Sequence, residues 1–358
     1  MSKKFVTIIV SGLMIAAMVL LAACTTPAEP AATTSETSGE AAPAESAASK
    51  DTYTIGLASF QQGNDWNLQV AQGAKEKIAE LGWEVVHTDA NGDSNAQLAA
   101  LEGFLTQKVD GVIVPGGSGP ALQPAIDALI AAGIPVVTVD LTVTNAVTNI
   151  YPDAYNATEL LAVFAVNKMQ TVPGKYVHVT IPGLGWKTVD IRDFLADKVF
   201  EIEGWENLGL IDSGLAEAVS QTMTGVRSAL LANPDLNLVY CSWGMPAVGA
   251  ARAIREAGLT DKVFVVNTDA DRIVLAEMVE DDSPIAGVIG QKPLLMGALA
   301  VEALQKSFNG ETNIPKITFA PFVFITKEPE LLPPGVETLD PRTAWDKLYP
   351  GIEFGKTD

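Results

Sequence analysis

Histidine and cysteine are almost missing from this chain, with two of each in 358 residues. His87 and His178 lie far apart in strand-like runs, and neither has a cysteine or histidine at metal-ligand spacing. A metal centre built on such ligands is therefore not expected. The same scarcity leaves a Ser-His or Cys-His catalytic set without support, so neither an enzymatic activity nor a cofactor is expected. The segment Gly116-Gly117-Ser118-Gly119-Pro120 is glycine-rich, but it lacks the Gly-x-Ser-x-Gly order of a nucleophile turn and the lysine of a P-loop. It reads as the turn into a helix. Basic residues are also few, 23 against 43 acidic ones, for a net charge of −20. A nucleic-acid partner needs a basic surface and is excluded. The acidic balance serves solubility and specifies no function.

Long apolar runs are confined to the N-terminus. Lys3 and Lys4 give a positive start, an apolar run follows from Phe5 to Leu20, and Leu21-Ala22-Ala23-Cys24 comes next. A core of only about 17 apolar residues behind a positive start reads as a secretion signal rather than a membrane span. The Leu-Ala-Ala-Cys order resembles the bacterial lipobox. That resemblance implies cleavage before Cys24 and lipidation of its thiol, with diacylglycerol and palmitate, which would hold the protein to a membrane on the extracytoplasmic side of the cell envelope. Residues 25–49 contain little besides Ala, Thr, Ser, Pro and Glu. They cannot bury enough apolar surface to offset ordering entropy, and are expected to form a flexible tether. With Cys24 lipidated, Cys241 has no disulfide partner even in an oxidising compartment. It ends the strand-like run Leu236–Cys241 and is expected to be a buried, inert thiol.

From Tyr53 onward roughly 300 residues remain, more than one core usually holds, so two lobes are expected. Short apolar runs at Tyr53–Ala58, Glu84–His87, Gly111–Val114 and Pro135–Val139 alternate with helical-period segments at Leu68–Leu81, Asn95–Gln107 and Ala121–Ala132. The rhythm restarts with strands at Tyr176–Ile181, Leu208–Ile211, Leu238–Cys241, Val263–Val266 and Ile285–Ile289, and helices between and after them. Apolar strands with helical crossovers mean parallel sheets covered on both faces. The fold class is therefore α/β, with two doubly wound parallel-sheet lobes; a three-strand hinge near Pro152, Lys292 and Ala320 is expected to join them. The expected division is a signal at 1–23, lipidated Cys and linker at 24–50, a first lobe at 51–152 completed by about 292–320, a second at 153–291 completed by about 321–326, and a proline-rich tail at 327–358. The tail should have little regular structure, with Trp345 and Leu348 packing it back onto the body.

In open α/β sheets, ligands bind beyond the carboxyl ends of the strands. That rule selects Ser59 with the loop to Trp66, Pro115 to Gly119, Asp140, Gly183 to Trp186, Ser242 with Trp243, Asp269 and Gln291. Arg192, one to two turns into a helix beginning near Trp186, can point at the same place. Each choice competes with a plainer role. Asp140 and Asp269 can cap turns, Arg192 can lie on a helix surface, Gln291 can belong to the hinge, Trp66 can staple a helix start, and Trp186 and Trp243 can be packing residues.

The stretch from Tyr53 to about Ile325 resembles the type 1 periplasmic binding proteins, the ribose- and galactose-binding group. The resemblance rests on Ile55-Gly56-Leu57-Ala58-Ser59, Asp110-Gly111-Val112-Ile113-Val114-Pro115, Ala132-Gly133-Ile134-Pro135-Val136-Val137-Thr138-Val139-Asp140, Asn233-Pro234-Asp235, Val265-Val266-Asn267-Thr268-Asp269 and Val288-Ile289-Gly290-Gln291, in that order. It implies that Asp140, Arg192, Asp269 and Gln291 hydrogen-bond sugar hydroxyls, and that Trp66 covers one face of the ring. Carboxylate and guanidinium groups suit vicinal hydroxyls because they make fixed, charge-assisted hydrogen bonds. The ligand-binding set so expected is Ser59, Trp66, Asp140, Trp186, Arg192, Trp243, Asp269 and Gln291.

Three departures bear on the ligand. Leu141 follows Asp140 where pentose binders often carry a second arginine, Pro115 and Trp243 stand where asparagines are frequent, and Trp186 adds a ring at the mouth. The pocket should be less polar and more aromatic than a ribose pocket, which leaves pentose, deoxy-sugar, glycoside and nucleoside open. The family implies a lipid-anchored, monomeric solute-binding protein that closes on its ligand and delivers it to an ABC permease and ATPase. The rival reading is an exported sensor that presents ligand to a chemoreceptor or histidine kinase. A secreted hydrolase would need the catalytic set that is absent.

Overall fold

The computed structural model describes residues 50, 52–170, 172–183 and 185–357. The secretion signal, Cys24 and the tether lie outside the described residues.

A first series runs β1 (Thr54–Ser59), α1 (Asp65–Glu80), β2 (Glu84–Asp89), α2 (Ser94–Gln107), β3 (Gly111–Pro115), α3 (Gly119–Ala131), β4 (Val136–Val139) and β5 (Asn149–Pro152). A second runs α4 (Ala154–Lys168), β6 (Lys175–Thr180), α5 (Lys187–Ile202), β7 (Glu206–Asp212), α6 (Ala218–Ala232), β8 (Leu238–Cys241), α7 (Gly244–Glu256), β9 (Phe264–Thr268), α8 (Arg272–Val279) and β10 (Ile285–Gly290). The chain ends with α9 (Pro293–Phe308), β11 (Ile317–Ala320), β12 (Val323–Thr326), β13 (Thr338–Leu339) and α10 (Pro341–Leu348).

The strands form two sheets, ordered β11-β5-β4-β3-β1-β2 and β13-β12-β10-β9-β8-β6-β7. Every pair in the first sheet is parallel. In the second, β12 runs antiparallel to β10. Strands β1 to β5 and β6 to β10 take corresponding places, so the two lobes repeat one winding. Side chains alternate across each strand. Ile113 enters a core layer with Ile55, Val70 and Val301, whereas Val112 and Val114 enter the opposite layer with Phe104, Leu122 and Ile126. The second sheet is likewise covered on both faces.

Local signals set the helix starts. Asn64 caps α1 by accepting from the Asn67 N–H at 2.9 Å, Asp93 caps α2, and Pro293 opens α9 where its missing N–H costs nothing. Helices α1 and α9 cross at Gly73 and Gly297, where a Cβ would collide with the carbonyls of Leu294 and Val70. This close approach packs the middle of α1 against the first turns of α9.

The chain passes between the lobes three times. It crosses from β5 into α4, whose apolar face packs in the second lobe. It returns from β10 into α9, which packs in the first. It crosses again from β11 to β12 through Pro321 and Phe322. The tail differs from expectation. Despite its prolines it forms β13, which extends the second sheet beside β12, and α10, capped by Asp340. Trp345 is fully buried in the second lobe's core. Proline at the first position of a helix is favourable, so Pro341 starts α10 rather than preventing it. Strands β5 and β11 and helix α4 also lie outside the runs read from the sequence.

Candidate functional site

The carboxyl ends of both sheets face a single cleft of about 700 Å³, counted out to its mouth. Phe60 and Gln61 follow β1, Gly116 and Gly117 follow β3, and Asp140 follows β4. From the other side Trp186 and Thr188 follow β6, Leu215 follows β7, Trp243 follows β8, Asp269 follows β9 and Gln291 follows β10, all lining the same space.

At the floor the polar groups form a chain. Trp66 Nε1 donates to Gln291 Oε1 at 2.9 Å, and Gln291 Nε2 donates to Asp269. Arg192 Nη1 donates to the Ser242 carbonyl at 2.9 Å and reaches Asp269 Oδ2 at 3.5 Å. Arg192 Nε, a buried N–H, has no hydrogen-bond partner. Across the cleft, Thr188 Oγ1 donates to Asp140 at 2.9 Å and 3.2 Å, joining the lobes. Thr188 and Arg192 share one face of α5, four residues apart. Burial lifts both Asp140 and Asp269 above the ordinary carboxylate range, while the Arg192 charge pulls the other way. Two desolvated carboxylates short of donors suit a ligand rich in hydroxyls.

Seven of the eight residues expected at the site line this cleft: Trp66, Asp140, Trp186, Arg192, Trp243, Asp269 and Gln291. Ser59 is not among them. Its side chain is buried as the last residue of β1 and meets His87 Nε2 at 3.0 Å. Alternation explains this, since the residue beyond the strand end, Phe60, turns to the cleft instead. The sequence reading missed Asn67, Thr188 and Leu215. A helical i, i+4 pairing with Arg192 signals Thr188, whereas nothing local marks Leu215.

A second polar cluster lies beneath Arg192. His178, on β6, meets Asp197 through Nδ1 at 3.0 Å and Asp193 through Nε2 at 3.0 Å, with Ser242 Oγ at 2.9 Å from Nε2. Tyr176 donates to Asp197 at 2.7 Å. Burial alone lowers the His178 pKa, but its hydrogen bonds to Asp193 and Asp197, and their charge, raise it to about 9. Ser242 and His178 are both buried, so this is a scaffold under the cleft and not a reacting set. Cys241, also buried, has its thiol pKa pushed up by desolvation. Among the described residues, no group of three or more His, Cys, Asp or Glu side chains is placed to hold a metal ion, and no helix is long and apolar enough to cross a membrane.

A profile described as a periplasmic binding protein domain matches residues 55–312. The ribose import binding protein of Bacillus subtilis (strain 168) is 24% identical over 289 residues, covering 78% of this chain and 89% of that protein. The D-xylose-binding periplasmic protein of Haemophilus influenzae is 25% identical over 266 residues, covering 68% and 78%. Among solved structures, an ABC sugar transporter subunit from Rhodobacter sphaeroides 2.4.1 superposes with a TM-score of 0.70 at 25% identity, covering 77% of this chain and 98% of that one. A 5-methylthioribose transporter solute-binding protein from Thermotoga lettingae gives 0.68 at 26% identity, covering 77% and 87%.

Proposed function

This chain belongs to the periplasmic binding protein family, and on that premise we propose that it captures a sugar or sugar-like molecule by hinge closure and delivers it to an ABC permease and ATPase. The observation that carries the reading is the convergence of Asp140 from one lobe, Arg192 and Asp269 from the other, and Gln291 from the hinge on one cleft. A ligand touching both lobes favours the closed arrangement, which a transporter can recognise. The polar four grip hydroxyls, Arg192 Nε gains the partner it lacks, and the rings of Trp66, Trp186 and Trp243 cover the ligand's C–H faces. The names of the ribose-, xylose- and methylthioribose-binding relatives support a monosaccharide core. Cys24 carries the lipid that holds the monomeric receptor to the membrane.

A thermal-shift screen of monosaccharides, followed by calorimetric titration, tests the capture. Ligand that binds only the folded chain raises its melting temperature. If no sugar raises it, and native mass spectrometry finds a different class of molecule bound, the reading fails. Cys24→Ser should release the protein from membranes or leave the signal uncleaved. A serine variant that fractionates and migrates like wild type removes the anchor from the proposal.

A further inference from the structure

We propose that the ligand is a monosaccharide bearing an apolar substituent, with its sugar ring on the polar floor and the substituent against the mouth of the cleft. This deepens the sugar-capture reading and rests on it. The hydrogen-bonding side chains are unevenly placed. Arg192 and Gln291 are buried, Asp269 is largely so, and these three are bonded to one another at the floor. The mouth on the second-lobe side is built from Trp186, Leu215 and Trp243.

Of these three side chains, Trp186 alone brings an indole N–H that is not already engaged, a single donor for a hydroxyl. Trp243 Nε1 already donates to Ser213 Oγ at 3.2 Å, just as Trp66 Nε1 donates to Gln291. An indole has only that one polar group, so both rings present carbon alone. Leu215 is 43% exposed, directly after Gly214, whose φ of +58° turns the loop at the cleft. A leucine there gains by being covered, at roughly 25 cal/mol per Å² of apolar surface removed from water.

A bare monosaccharide carries hydroxyls around its whole ring. Those facing Trp243 and Leu215 would leave water without finding a partner, which is unfavourable. An apolar group at that end loses no hydrogen bond and covers the leucine.

The test is calorimetric titration of the full mature chain with five parent sugars, D-ribose, L-arabinose, D-xylose, D-glucose and D-galactose, and with the phenyl glycoside of each. The expected result is at least tenfold tighter binding of the phenyl glycoside than of its parent in the pair that binds. Leu215→Asn should then weaken the glycoside at least threefold more than the parent. Parents that bind as tightly as or tighter than their glycosides overturn the inference and leave the sugar-receptor reading intact. Equal losses for parent and glycoside in Leu215→Asn also overturn it. Absence of binding by all ten compounds overturns the inference together with the reading beneath it.

Discussion

Asp140 and Asp269 occupy the same station in the two lobes. Each is the first residue past the carboxyl end of a central strand, β4 or β9. Each donates its backbone N–H to the neighbouring strand, Asp140 to Ile150 at 2.8 Å and Asp269 to Ile289 at 2.9 Å. Each is held at positive φ, +51° and +78°. Left-handed backbone is rare outside glycine, though Asp and Asn tolerate it best, and such strain gathers where a side chain must be aimed. The winding of the fold thus places one carboxylate on either side of the cleft by the same turn.

Asp140→Asn and Asp269→Asn should fold with melting temperatures near wild type, because asparagine accepts the same φ. Asp140→Ala and Asp269→Ala should weaken ligand binding at least tenfold, since a hydrogen bond to a charged group is worth about 1.5–3 kcal/mol. Calorimetry with the sugar identified by screening is the measurement. Unchanged affinity in both alanine variants would place the ligand elsewhere.

Leu141, one residue on, should behave oppositely. Its side chain is only 4% exposed and packs in the first lobe's core with Val112 and Leu122. Leu141→Ala should cost about 2–5 kcal/mol of stability, read by urea unfolding, while affinity in the folded fraction changes little. A variant of wild-type stability that binds poorly would mean that Leu141 belongs to the cleft.

His178 makes a pH prediction. Both ring nitrogens face carboxylates, an arrangement that needs both N–H groups and therefore the cation. Its folded pKa, about 9, lies above the ordinary imidazole value of 6.5, so the stabilisation is fully present below about 6.5 and is lost as pH rises through about 9. The shift corresponds to on the order of 3 kcal/mol. Asp271, whose pKa burial and the nearby Asp269 and Asp65 raise to about 8, also titrates in this range, so the comparison must be made against His178→Gln. Wild type should lose more unfolding free energy than that variant between pH 6 and 10. Parallel losses would show His178 to be neutral in the folded chain.

The two-lobed winding was legible because parallel strands buried on both faces are runs of Val and Ile, and the cleft residues were legible because they directly follow those runs. Ser59 and Phe60 mark the limit. Both stand at a strand end, and only the pleat decides which of them faces the cleft. β11 was hidden because Ile317 and Phe319 are exposed at a sheet edge and lack a buried strand's pattern. The tail was misread because prolines were counted as breakers. Trp345, whose Nε1 donates to the Ile352 carbonyl at 2.8 Å, needed the second lobe's core to explain it.

The pair Asp65–Arg272 carries the last prediction. Asp65 begins α1 in the first lobe and Arg272 begins α8 in the second, and each side chain is only 14% exposed. Arg272 grips both carboxylate oxygens, with Nε at 3.0 and 3.1 Å and Nη2 at 2.9 Å, and its backbone N–H adds a fourth bond at 3.0 Å. Nη1 also donates to the Lys356 carbonyl in the tail at 3.2 Å. The carboxylate therefore sits at two helix N-termini, where the dipoles favour negative charge. On the hinge-closure mechanism proposed above, the pair, which spans the lobes beside Trp66, breaks when they open and so adds to the free energy of closure. Removing one member of a desolvated pair costs about 2–5 kcal/mol, and partial exposure places this one near the lower end. Arg272→Ala should raise the ligand-free radius of gyration in small-angle X-ray scattering, speed ligand release, and weaken binding roughly thirtyfold. Arg272→Lys should restore little, because an ammonium cannot make the forked contact. An Arg272→Ala protein with wild-type scattering and wild-type release rate would show that closure does not depend on this clasp.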